Sequence, residues 1–184
     1  MVNSDRFLKE LTKDVEIDLS QAFDRNFESK SFFNQKWPAE KYASSRGSQM
    51  MRSGKLRRSI KSTNNGGQIQ WSSNAPYASI HNEGGEIEVT AKMKSFFWAM
   101  FYKASGGVVS SVKTKAAANT VRNKKLAGEA AKWKAMALMK VGTVMKIEQR
   151  QFIGWHPQVD VRIKKIVNVN LDVLNKEIIK ALRK

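Results

Sequence analysis

An α+β fold is predicted for this chain: a single domain over residues 1–184, with a small antiparallel sheet packed against long N- and C-terminal helices. Two observations predict it. Long apolar patterns at helical spacing stand near both ends of the sequence. Between them, short segments alternate apolar and polar residues around glycine-rich turns, the mark of half-buried strands.

The first element rests on Phe7, Leu11, Val15, Leu19, Phe23 and Phe27, each four residues from the last. That spacing lays them along one slowly drifting stripe of a helix over about 4–29, with Ser4 as its N-cap. Residues 30–55 lose the pattern. Phe32, Phe33, Trp37 and Tyr42 lie among polar residues, Pro38 breaks any helix, and Ser44–Ser48 reads as loop. Ser53-Gly54 starts a short helix, after which the chain becomes extended. Asn64-Asn65-Gly66-Gly67 accepts positive φ and joins Ser59–Thr63 to Gln68–Ser72 in a hairpin that buries Ile69 and Trp71 on one face.

Ala75–Asn82 reads as a short helix or turn ended by Gly84-Gly85, and Glu86–Thr90 as a strand with Ile87 and Val89 inward. Thr90 caps a helix over Ala91–Ala104, whose Met93, Phe96, Phe97, Met100 and Phe101 recur at three- and four-residue steps. Residues 106–128 are irregular and read as an exposed, flexible insertion. Helical spacing returns over Glu129–Met139. Ile147–Ile153 is expected as a fourth strand that places Phe152 in the core. His156-Pro157 opens the last helix, because proline suits the first helical turn.

The chain has 33 Lys and Arg against 16 Asp and Glu, a formal net charge of +17. Such a field concentrates polyanions and fits nucleic acid, an acidic protein partner, or simple solubility. The excess is local: residues 103–146 hold ten basic side chains against Glu129 alone. Cysteine is absent, which excludes disulfides and thiolate chemistry. No apolar run approaches the roughly twenty residues that span a bilayer. The first residues lack the order of a secretory signal, so synthesis in the cytoplasm is expected.

Little here supports catalysis. Only two histidines exist, His81 and His156, in unrelated settings, so no metal-ligand set converges and no cofactor is expected. His81 beside Glu83 fits a residue orienting a turn better than an acid–base pair. No phosphate-binding loop and no nucleophile elbow occurs. A toxin-like nuclease would need a carboxylate or histidine cluster that the sequence does not offer. The adjacent pairs Arg57-Arg58 and Lys124-Lys125 are solvated faces or sequence-independent phosphate contacts.

The run Pro76-Tyr77-Ala78-Ser79-Ile80-His81-Asn82-Glu83-Gly84-Gly85, read with Gln149-Arg150-Gln151-Phe152-Ile153-Gly154, resembles the paired signatures of a phage virion morphogenesis family. Leu56–Ile60 and Lys92–Trp98 extend the likeness. On this resemblance Tyr77, His81, Glu83, Gly84, Gly85, Arg150, Phe152 and Gly154 are structural signature residues. It implies a neck or tail-completion protein in the virion: a homo-oligomeric ring, hexameric or dodecameric, at the head–tail junction. Portal, connector or tail proteins are its expected neighbours, and DNA passes through its lumen. Phe32, Phe33, Trp37 and Trp155 are expected to anchor subunit contacts. Arg57, Arg58, Lys113, Lys115, Lys124 and Lys125 are expected to meet polyanion. The alternative is a sequence-independent DNA-binding or DNA-packaging accessory protein.

Overall fold

Residues 4–29 coil into the first helix of a computed structural model that describes residues 4–40, 47–108, 110 and 117–183. This helix, α1 (Ser4–Ser29), buries Val15, Leu19, Ala22, Phe23, Asn26 and Phe27, the second half of the predicted stripe. It stops at Lys30, whose φ of 53° lies in the left-handed region. A two-residue ladder follows, β1 (Ser31–Phe32) antiparallel to β2 (Gln35–Lys36). After α2 (Lys55–Ser59), the hairpin β3 (Ile60–Asn64) and β4 (Ile69–Ser73) pairs Asn64 with Ile69 across the Asn-Gly turn. Next come α3 (Ala78–Glu83), β5 (Gly85–Glu88), α4 (Ala91–Gly106), α5 (Val121–Ala137), β6 (Val144–Ile147) and α6 (Pro157–Leu182).

The α+β class and the two long flanking helices hold, with three corrections of detail. The strands form three separate two-stranded antiparallel ladders, β1–β2, β3–β4 and β5–β6, rather than one sheet. The fourth predicted strand is also displaced. β6 covers residues 144–147, and the 149–154 segment is irregular backbone held by side chains. Phe152 is nonetheless fully buried, as expected. The predicted insertion shrinks as well, since α5 begins at Val121. Thr120 caps it by accepting from the Asn123 backbone N–H at 3.1 Å, and an antiparallel bridge between Ser110 and Ala117 precedes it.

Two apolar clusters make the body. Val15, Leu19, Phe23, Phe32 and Val159 form one, with Ile69 and Trp71 packed against it. Phe27, Trp37, Leu56, Ala78 and Phe152 form the other. A third is separate: α4 and α5 pack on each other through Phe97, Ala104, Ala130, Trp133 and Ala137. The β5–β6 ladder ties that helical hairpin to the body, and Met145 packs against the hairpin's core. The helices α1 and α6 run antiparallel. Arg162 reaches Asp18 at 3.0 Å, and Asn170 reaches Asp14 at 3.2 Å.

Candidate functional site

The signature segments meet at one junction, where side-chain amides replace a strand ladder. The Asn82 side-chain Oδ1 accepts from the backbone N–H groups of Phe152 (3.0 Å) and Ile153 (3.1 Å). The buried Asn26 amide donates to the Phe152 carbonyl at 3.1 Å, and its own oxygen accepts from the Phe33 N–H at 3.0 Å. The Trp37 indole donates to the Gln151 carbonyl at 2.6 Å. The Arg150 N–H donates to the His81 carbonyl at 2.7 Å. Irregular buried backbone must find such partners, and here three distant segments supply them.

The glycines fit this crossing. Gly84 has φ 76°, and a Cβ there would sit 3.1 Å from the Gln149 backbone nitrogen. A Cβ on Gly85 would meet the Ile80 side chain at 2.7 Å. Gly154, at φ 129°, turns the chain toward α6. Tyr77 packs edge-on against the His81 ring, and Glu83 is exposed. Burial, reinforced by the Arg150 guanidinium, pushes the His81 imidazole below its ordinary pKa. Its Nδ1 and the Arg150 Nε are buried without hydrogen-bond partners. Asn26 and Asn82 escaped the sequence reading, because a clip of this kind shows no local pattern.

The expected interface anchors divide. Phe32 and Trp37 are 2% and 8% exposed, so the chain's own core consumes them. Phe33 is half-buried and stacks on His156 with ring centroids 4.9 Å apart. His156 caps α6 by accepting from the Gln158 N–H at 3.1 Å. Phe32 and Phe33 therefore seat the start of α6 and Trp37 packs on Phe27, a correction to their reading as surface anchors. Trp155 alone is open, at 68% exposure.

The expected polyanion contacts divide too. The Arg57 guanidinium bridges Asp24 and Glu28 of α1, which raises its pKa further, so two partly exposed carboxylates already match its charge. Arg58 is exposed and donates to the Ser53 carbonyl at 2.9 Å. Lys124 and Lys125 stand exposed on α5. Lys113 and Lys115 lie outside the described residues. Among the described residues, no group of three or more His, Cys, Asp or Glu could hold a metal ion. No described helix is long and apolar enough to cross a membrane.

Charge is segregated between the parts. On α1, Asp5, Glu10, Asp14, Glu16, Asp18, Asp24 and Glu28 outnumber Arg6, Lys9, Lys13 and Arg25. On α4 and α5, Lys92, Lys94, Lys103, Arg122, Lys124, Lys125, Lys132 and Lys134 face only Glu129. The hairpin also exposes apolar surface. Trp98 and Tyr102 stack at 6.0 Å, with Tyr102 66% exposed and Phe96 53% exposed. Comparison with known proteins returns one family: the model of the phage virion morphogenesis family matches residues 5–172. No curated protein and no solved structure matches.

Proposed function

This chain belongs to the phage virion morphogenesis family, and from that premise we propose that this structural virion protein is a tail-completion or neck subunit. In this reading, copies close a homo-oligomeric ring at the head–tail junction, with portal, connector or tail proteins as neighbours and DNA passing through the lumen. The observation that carries it is the segregation of charge. A basic helical hairpin projecting Lys124 and Lys125 offers phosphate contacts that do not read sequence, which suits a duplex sliding past. Arg58, exposed on α2, is a further candidate contact, whereas Arg57 is not. Trp155 and the exposed aromatics of α4 supply apolar contact for neighbouring subunits.

Native mass spectrometry across a salt series, with and without a short duplex, tests the reading. A closed ring that forms without DNA is the expected result. A monomer that only coats DNA and releases it steeply with salt would replace the ring with a DNA-binding accessory role.

A further inference from the structure

The α4–α5 hairpin has two unlike flanks. On one, Phe96 lies against Trp133 with ring centroids 5.8 Å apart. Glu129, four residues before Trp133, shares that side of α5. Trp98 and Tyr102 follow Phe96 at spacings that turn them to the other side of α4, and Lys94, four residues before Trp98, joins them. On α5 the stripe turned away from Glu129 is Lys124, Ala127, Ala131 and Lys134, at steps of three and four, and all four are exposed. The helices run antiparallel, with Phe97 against Trp133 and Gly107 beside Leu126, so these two sides fall together. Tyr102 stacks on Trp98 at 6.0 Å with planes 28° apart, and at 66% exposure most of its ring stands in solvent.

This flank joins an open aromatic ring to Lys94, Lys124 and Lys134, while the single carboxylate of α4 and α5 lies on the opposite one. Lysines without a carboxylate among them select a polyanion. The ring selects further. A duplex keeps its bases stacked inside and offers phosphate alone, for which an exposed ring is of no use. An apolar protein surface would use the ring and leave the cations facing it unsolvated. Unpaired DNA uses both, because lysines follow its backbone while a base stacks on the ring. We propose that the Trp98–Tyr102 flank is a stacking site for single-stranded DNA, such as an unpaired strand at an end of the duplex. The proposal rests on the reading of the hairpin as the DNA-facing surface and adds a preference to it. Of the exposed α4 aromatics it takes Tyr102 from subunit contact and leaves Phe96 there. Contact with Trp98 already orders the Tyr102 ring, so little freedom is lost when a base arrives.

Fluorescence anisotropy tests it, with a labelled DNA single strand of about 15 nucleotides and the matching duplex at one fixed salt concentration. The wild-type protein is expected to hold the single strand at least about fivefold more tightly than the duplex. Tyr102→Ala is expected to weaken the single strand about tenfold and the duplex less than about twofold. Tyr102→Phe keeps the ring and is expected to hold the single strand within about twofold of wild type. Tyr102 is exposed, and helical circular dichroism with a melting midpoint checks that each variant is folded. Equal losses for single strand and duplex overturn the inference, as does no loss for either. So does a Tyr102→Ala protein that binds the single strand normally but self-associates less, since the flank then faces a subunit. Tighter binding of an RNA of the same sequence overturns it as well. Failure here is separable from failure of the wider reading. A protein that binds duplex with no preference for the single strand removes this site and keeps the hairpin against DNA, whereas one that binds neither removes both.

Discussion

In the body, α1 is covered by segments from several distant places in the sequence, whereas α4 and α5 cover each other across a single connection. The body is stapled by buried amides and an arginine clamp. The hairpin relies on alanine, aromatic and methionine packing and holds nearly all its charge outward. The contrast separates two tasks. The body fixes a shape, and the hairpin presents a basic surface at little cost to that shape.

The largest break in this comparison comes from the body's core. Phe152→Ala removes a fully buried ring packed 5.2 Å from Phe27, and is expected to cost about 3–5 kcal/mol by chemical denaturation. The expected loss takes α1 and α6 with it. Trp133→Ala should cost about as much locally, but hydrogen exchange should place the lost protection in α4 and α5 with the body still protected. Global loss of protection would show that the two parts are one cooperative unit.

Asn82→Ala comes next. It strips the acceptor from two backbone N–H groups, and the expected cost is about 2–3 kcal/mol in the melting free energy. Replacing Lys124 and Lys125 by glutamate should reduce the salt slope of duplex binding by about two, while Arg57→Ala leaves that slope unchanged and costs about 1 kcal/mol of stability. An altered slope for Arg57→Ala would mean its clamp opens to DNA.

The smallest effect is on pH. The folded state holds His81 below its ordinary value of 6.5, so the unfolded chain binds its proton more readily. Stability from this group is full above about pH 6.5 and is lost as pH falls through the depressed folded value. A His81→Gln variant should flatten that part of a pH–stability curve.

Much of the fold was legible. The four-residue spacing on α1, the Asn-Gly turn, the Thr90 cap and Pro157 at the first turn of α6 are local signals, and the fold keeps each of them. What failed was non-local. Phe32 and Trp37 sit in unpatterned sequence, so nothing near them reveals that a two-residue ladder and an indole bond to Gln151 fold them inward. Arg57 reads like Arg58 until Asp24 and Glu28, a helix away, are placed beside it. The start of α5 had a readable cue in Thr120 three residues before Asn123, but the surrounding Lys and Ala residues masked it. Among the signature residues, the glycines were visible as turns. The asparagines that do the stapling were not.

The antiparallel pairing of α1 with α6 also sets an order of events. Its contacts join residues 14 and 18 to residues 170 and 162, so closing them requires looping out nearly the whole intervening chain. The α4–α5 hairpin pairs neighbours in sequence and can form as soon as residue 137 has left the ribosome. During synthesis α1 must therefore wait, its apolar stripe only partly covered, until residues 157–182 leave the ribosome. In a cell making many virions at once, that waiting interval is when this protein is most exposed to aggregation.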